Sequence, residues 1–231
     1  MSIAQKLTAV AENAPKVYEA GEQAAYDRFW DEFQDKGART NYIGAFNTGW
    51  TAAIFRPKYN MAVDNAYNMF NNFLRGKPAS LKQLLAESGV SLTFPRCGNI
   101  NNVFQASHTT ELGELDFSTV TRKDCSSLFL DCGHLKSIDK LIIPAGQTTF
   151  SNWFRSCNAL ERLTIEGIIG ANGFDVSWSP LDHDSLMSIV EALQDYSAVG
   201  TTGTVTLGAD NLAKLSDSEK AIATQKGWTL V

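Results

Sequence analysis

The sequence predicts an α/β chain whose middle is a short, irregular solenoid of parallel strands, preceded by a helical segment and closed by an α/β capping module. Two observations carry that prediction. Three stretches repeat two small polar residues followed by an apolar pair: Asn101-Asn102-Val103-Phe104, Ser126-Ser127-Leu128-Phe129 and Ser151-Asn152-Trp153-Phe154, with the phenylalanines 25 residues apart. Downstream of each comes an aliphatic pattern: Leu112-x-x-Leu115-x-Phe117, then Leu135-x-x-Ile138-x-x-Leu141-x-Ile143, then Leu160-x-x-Leu163-x-Ile165. A unit of this length cannot bury its apolar face alone, so it stacks on its neighbours.

Residues 1–36 read as a helical anchor or oligomerisation segment. Ile3, Leu7 and Val10 share one face, while Tyr26, Phe29, Trp30 and Phe33 recur at helical spacing on another. Pro15 breaks or kinks the run, because it has no amide hydrogen to donate. The first part is short and weakly apolar, hence marginal in water unless it meets the body or other copies of itself.

Residues 37–96 read as an aromatic, loop-rich collar and an irregular first repeat. Tyr42, Phe46, Trp50, Phe55 and Tyr59 interleave with Gly44, Gly49 and Pro57, a density that fits the packing of a small subdomain better than a ligand cage. Met69-Phe70 resembles the apolar pair of the later units. Ser80-x-x-Gln83 is a capping box opening a helix with Leu81, Leu84 and Leu85 on its face; Gly89 closes it, and Val90, Leu92 and Phe94 alternate as a strand.

Residues 97–168 hold the repeats. Each polar-polar-apolar-Phe segment starts a short helix or turn, and each aliphatic pattern leads into a strand, so stacking lays the strands side by side in a parallel sheet. Phe104, Phe129 and Phe154 then form a ladder on the opposite wall, and Trp153, which matches Val103 and Leu128, packs. The unit around Phe104 carries two extra residues before its leucine pair, and Phe70 precedes Phe104 by 34 residues, so the array is irregular.

Residues 169–231 read as the cap. Asp182 to Tyr196 is a helix with Leu186, Ile189, Val190 and Leu193 on one side. Gly200 and Gly203 turn the chain into a strand over Thr204–Leu207. Ser216 and Glu219 form a capping box, Gly227 stops that helix, and Trp228–Val231 is a last strand. Strand, helix, strand, helix, strand predicts right-handed crossovers that continue the same parallel sheet.

The bulk numbers narrow the function classes. Hydrophobic residues make up 44%, and no run approaches the roughly 18 to 20 apolar residues of a membrane helix. Met1-Ser2-Ile3-Ala4-Gln5-Lys6-Leu7 lacks the apolar core of a signal peptide, so the expectation is a chain made in the cytoplasm and not exported by the standard route. A net charge of -5 with no dense basic stretch argues against nucleic acid as the main partner.

No catalytic, cofactor-binding or metal-binding residues are assigned. Cys97, Cys125, Cys132 and Cys157 lack paired zinc spacing. Cys132 and Cys157 each follow a repeat phenylalanine by three residues; stacked buried thiols are the plain reading, a disulfide ladder the alternative, and the absent export signal favours the former. His108, His134 and His183 have no second ligand pair at fitting distance. Asp182-His183-Asp184-Ser185 holds the residue types of a hydrolase triad, but a triad converges from separate parts of a fold, and Asp182 is better explained as a helix N-cap with Asp184 favoured by the helix dipole. Gly167 to Gly173 lacks the order and ending of a phosphate loop and reads as a turn.

The repeat units, each with a Phe-containing turn and a Leu-x-x-Ile/Leu strand, resemble BspA-type leucine-rich repeats. The resemblance continues through Leu181-Asp182-His183-Asp184-Ser185-Leu186, Val205-Thr206-Leu207-Gly208-Ala209-Asp210-Asn211-Leu212 and Glu219-Lys220-Ala221-Ile222 to Trp228-Thr229-Leu230. At the front, Ile3-Ala4-Gln5-Lys6-Leu7, Ala14-Pro15-Lys16-Val17-Tyr18-Glu19-Ala20-Gly21, Tyr26-Asp27-x-Phe29-Trp30 and Pro57-Lys58-Tyr59 are similar too. Proteins of this layout are encoded by phages and prophages of gut Firmicutes, often among tail genes. The resemblance implies a non-enzymatic, virion-associated tail protein, with the N-terminal helix meeting other tail proteins or forming a homotrimer and the repeat body facing a host cell-surface protein or glycan. Two other classes stay open: a bacterial adhesin or interaction module without a virion role, and an enzyme acting on cell-wall glycan, which would need two carboxylates converging in a cleft.

Overall fold

The computed structural model describes residues 55–56, 60–62, 66–88, 91–94 and 98–231. The helix expected over 2–35, most of the aromatic segment 37–66, Gly89, Val90 and Cys97 lie outside the described residues. In chain order the elements are β1 (Phe55–Arg56), β2 (Asn60–Ala62), α1 (Leu81–Ser88), β3 (Ser91–Thr93), β4 (Glu111–Asp116), β5 (Ser137–Ile142), β6 (Arg162–Glu166), α2 (His183–Ala192), β7 (Gly203–Val205), α3 (Ala209–Leu212), α4 (Asp217–Gln225) and β8 (Trp228–Leu230). This is a mixed α/β chain, not a closed barrel. β4–β5–β6 and β7–β8 are parallel sheets, and β2 bridges an antiparallel β1 and a parallel β3.

The polar-polar-apolar-Phe stretches form turns that lie one on another. The second polar residue of each, Asn102, Ser127 or Asn152, takes a positive φ, and so does the residue four further on, Ala106, Asp131 or Ser156; Asn68 and Asn72 repeat the geometry around Phe70. Small polar side chains tolerate this left-handed backbone better than bulky or branched ones, which explains the composition of the motif. The reversals aim alternate amides along the stack. Asn102, Phe104 and Ala106 donate to the carbonyls of Ser126, Leu128 and Leu130, and Ser127, Phe129 and Asp131 to those of Ser151, Trp153 and Arg155. Asn68, Phe70 and Asn72 donate in the same way to Asn101, Val103 and Gln105.

Between the two flanking reversals each phenylalanine points inward. Phe70, Phe104, Phe129 and Phe154 form a near-parallel pile with centroid separations of 5.0, 5.4 and 5.3 Å. All four are fully buried. Burial of a side chain this size stabilises by about 1.5–3 kcal/mol. Trp153 is buried as the sequence predicts, and its indole N–H donates to the Cys125 carbonyl at 2.9 Å. Opposite the ring pile lies the β4–β5–β6 sheet, whose inward rows are Leu112, Ile138, Leu163 and Leu115, Leu141, Ile165.

This register corrects the expectation of two extra residues before Leu112. Leu112 pairs with Ile138 and through it with Leu163, not with Leu135 and Leu160. It follows Phe104 by eight residues where Ile138 and Leu163 follow their phenylalanines by nine, so this unit is one residue short. The place of Leu135 and Leu160 is taken by Thr109. Its buried hydroxyl accepts the Leu81 amide at 3.2 Å and lies 3.3 Å from the Ala79 carbonyl, tying the start of α1 to the sheet. A polar residue wins there because the first turn of a helix has amides without partners. A second irregularity separates Leu112-x-x-Leu115 and Ile138-x-x-Leu141 from Leu163-x-Ile165. Both members of each pair face inward, so β4 and β5 hold one more residue than β6 across the same span, and the register shifts between Ile138 and Leu141.

The cap corrects a second expectation. β7 and β8 form their own two-stranded sheet rather than extending β4–β5–β6. The edge of β6 is covered by α2, which sets two hydroxyls against the strand. Ser185 Oγ accepts the Leu163 amide at 2.8 Å, and Ser188 Oγ accepts the Ile165 amide at 2.6 Å. An edge strand otherwise offers unpaired amides to any passing chain, and these serines satisfy them. The helix stops at Ala192, short of Tyr196, because Leu193 turns extended and bridges to Ile169. β7 likewise ends at Val205, and Thr206 bridges to Asp175 instead.

Side chains then lock the cap. Lys226 Nζ reaches the Val190 and Glu191 carbonyls at 3.2 and 2.7 Å, placing a cation at the C-terminal end of α2. Trp228 is buried against Tyr196 at 5.4 Å, and its N–H donates to the Gln194 carbonyl. Gly203 is required beneath it, since a methyl group there would enter the indole ring. The capping box of Ser216 and Glu219 is formed in both directions, and Gly227 follows the helix with φ of 84°.

Candidate interaction surface

The parallel sheet β4–β5–β6 buries one face and presents the other. Lys140 lies centrally on the presented face, its Nζ 3.1 Å from Glu114 and 3.5 Å from Glu166, so one ammonium joins three strands. Lys82, reaching in from α1, meets Asp139 at 2.7 Å. The hydrogen-bonded carboxylates hold both lysines above their ordinary value, Asp139 acting on Lys82 and Glu114 foremost on Lys140. These groups are solvated, so the pairs set the pattern of charge more than the stability. Glu111, Glu114, Asp116, Asp139 and Glu166 outnumber Lys82, Lys140 and Arg162 on and beside the sheet. The balance of charge on this face is therefore negative. Beside it, α1 and β4 flank a shallow groove of about 220 Å³ lined by Leu81, Leu85, Leu92 and Leu112.

The residues weighed for chemistry are otherwise engaged. Asp182 caps α2, accepting the Ser185 amide at 2.9 Å and the Ser185 hydroxyl as well. His183 turns away to Glu219, with Nε2 2.9 Å from the carboxylate, and the hydrogen bond from that carboxylate raises the imidazole above its ordinary value. Serine and histidine of this run therefore do not meet as nucleophile and base. His108 and His134 do meet, ring to ring at 4.6 Å. His108 Nδ1 accepts the Gly76 amide at 3.1 Å, and burial, then the neighbouring His134 and Arg75, push its protonation down. Among the described residues no group of three or more His, Cys, Asp or Glu is arranged to hold a metal ion.

Cys132 and Cys157 are buried free thiols, as is Cys125. Each of the two repeat thiols donates to the carbonyl of the preceding unit's phenylalanine, Cys132 to Phe104 at 2.8 Å and Cys157 to Phe129 at 3.1 Å. Burial pushes the Cys157 thiol up to about 12 and Cys132 well above its usual range, so neither supplies a thiolate at neutral pH. The equivalent residue in the unit before them is Ser107, another small buried donor. Gly167 to Gly173 is not one turn: Ile169 is extended and bridges to Leu193, with bends on either side and φ of 104° and 90° at the two terminal glycines. Among the described residues no helix is long and apolar enough to cross a membrane.

One exposed residue carries no signal in the repeat pattern. Trp178 stands half exposed between Ser177 and Ser179 at the start of the cap. The sequence cue, an isolated tryptophan between serines just before Pro180, belongs to neither period. Comparison of the chain with protein-family models, with curated proteins and with solved structures found no match.

Proposed function

We propose that this chain is a non-enzymatic, tail-associated protein of a phage or prophage, built on a short leucine-rich-repeat solenoid of BspA type that offers its β4–β5–β6 face to a host-surface partner. The observation that carries the reading is the pile of four equivalent turns, each with a central phenylalanine between two left-handed residues and each bonded to the next through alternate amides. Stacked repeats of this kind spend their sequence on a continuous core and an extended surface. The resemblance that runs from Ile3 to Leu230 supplies the virion setting, and in this reading residues 1–36 anchor the chain to the particle or trimerise it. The engagement of Asp182, His183 and Ser185 in capping and ion pairing favours recognition over catalysis.

The test is peptide mass spectrometry on density-purified particles from an induced producing culture, with the intact chain and a variant lacking residues 1–36. Co-purification at a fixed ratio to the major tail protein, lost on truncation, is the expected result. Recovery only from the soluble or envelope fraction would replace the tail reading with that of a host adhesin or interaction module.

A further inference from the structure

We infer that the Trp178 turn and the cavity beside it form a subsite for a neutral saccharide, a pyranose ring stacking on the indole while its hydroxyls meet the rim. This goes beyond the recognition reading, which uses the β4–β5–β6 face, by adding a separate contact on the cap, and it rests on that reading only for its biological setting.

The turn is held rigidly around an exposed aromatic. Trp178 is 50% exposed. The Ser179 amide donates to the Val176 carbonyl at 2.9 Å, and the Ser177 amide and hydroxyl both bond Asp175 Oδ1, at 2.9 and 2.7 Å. Ser179 Oγ donates to the buried Cys157 carbonyl at 3.2 Å. Beneath the turn, Asn211 is 2% exposed, and its Nδ2 reaches the carbonyls of Val176 at 3.4 Å, Ser179 at 2.8 Å and Leu207 at 3.0 Å. One buried amide thus pins the backbone on both sides of Trp178. A binding group ordered in advance loses little entropy when its ligand arrives.

The cavity measures about 290 Å³ and is polar at its rim, where Asn158, Ser177, Asp210 and Lys214 meet the backbone of Gly208. Gly208, at φ of 85°, lets that backbone press against the turn; a β-carbon there would lie 3.0 Å from Ser177 Cβ. The charges select the ligand. Lys214 Nζ is taken up by the Leu181 carbonyl at 2.5 Å and Asn211 Oδ1 at 3.1 Å, so it offers little to an anion. Asp210 is exposed and has no ion-pair partner among the described residues, and the Asn158 side chain makes no hydrogen bond there. A free carboxylate, a free amide and a hydroxyl around a flat apolar ring complement a molecule with one C–H face and an edge of groups that both donate and accept. That molecule is a neutral sugar. Single-stranded nucleic acid also stacks on aromatics but needs a cationic track. A protein hot spot of tryptophan sits in an apolar, water-excluding surround.

The experiment is saturation-transfer difference NMR on the full 231-residue chain with oligosaccharides of glucose, galactose, rhamnose and N-acetylglucosamine, and with a glucuronate-containing probe. At least one neutral probe is expected to receive transfer on its ring protons and the glucuronate probe none. W178A is expected to weaken binding by about tenfold or more, with W178F retaining part of it. D210N is expected to admit the glucuronate probe. Thermal melts check that the variants are folded, and the exposure of Trp178 makes W178A structurally mild. Absence of transfer to every neutral probe, or transfer unchanged in W178A, overturns the inference. Trp178-dependent capture of a protein without saccharide transfer overturns it too and assigns the turn to a protein interface. Particle mass spectrometry reads the tail reading separately, so either can fail alone.

Discussion

The body of stacked turns and the C-terminal cap solve one problem by opposite means. In the body, from Asn101 to Arg155, each unit satisfies its backbone with the next unit's backbone and its apolar face with the next unit's phenylalanine. The turns around the phenylalanines use few long polar side chains (Lys123 and Gln147 reach the Ala145 and Arg122 carbonyls in the loops between them), but the arrangement always leaves a last unit with open groups. The cap closes that end with side chains: Ser185 and Ser188 on the edge of β6, Asn211 under the turn, and Lys226 and Trp228 on the last carbonyls of α2 and the loop after it. Repetition supplies packing cheaply, and termination requires individual residues whose geometry is used once.

The sharpest way to break this contrast is to remove a ring from the middle of the pile. Phe129→Ala leaves Phe104 and Phe154 facing a cavity and should cost about 3–5 kcal/mol, read by urea denaturation. A loss under 1 kcal/mol, by the same scale, would mean that the pile is not a shared core. At the junction, Ser185→Ala strips the Leu163 amide of its acceptor. The expected loss is about 1–3 kcal/mol, with faster hydrogen exchange at Leu163 while Leu112 and Ile138 stay protected. Exchange rising equally in all three strands would show that the junction is no separate closure. Within the cap, Ser216→Ala removes one half of a capping box and should cost about 1 kcal/mol, measurable as a lower melting temperature.

The smallest effect is a pH dependence at His183. Its imidazole is raised above 6.5, chiefly by the hydrogen bond to Glu219, so its contribution is complete below 6.5 and fades as pH rises through the raised value. Glu219 is lowered from 4.5, first by the Ser216 amide and hydroxyl, so its contribution holds above 4.5 and fades as pH falls through the lowered value. Both charged forms predominate between those limits. His183→Gln should flatten the loss of melting temperature above pH 6.5 and leave the acid limb in place. An unchanged upper limb at low salt would exclude the pair as its cause.

Much of this architecture was legible because it rests on local rules. The 25-residue spacing of Phe104, Phe129 and Phe154 corresponds to the ring pile. Asp182 and Ser216 act as the N-caps their sequence contexts suggest. The small polar pair before each phenylalanine marks a left-handed residue, although the sequence alone reads it only as a turn or helix start. Trp178 carries no such local mark, because an exposed aromatic differs from a buried one only in what surrounds it, and its surroundings come from Cys157, Gly208 and Asn211.

By itself the sequence determined the unit of repetition, the N-caps of the two long C-terminal helices, the stop of α4 at Gly227 and the burial of the aliphatic rows, all set by neighbours within a few residues. Tertiary structure alone decided the alignment of Leu112 with Ile138, the replacement of a repeat leucine by Thr109, and the separation of β7–β8 from the main sheet. Those choices depend on pairing between residues 20 or more apart in the chain, as from Leu112 to Ile138 and from Leu163 to Ser185. At that range many registers satisfy the same local pattern, and the hydrogen bonds and ring contacts of the assembled fold select one.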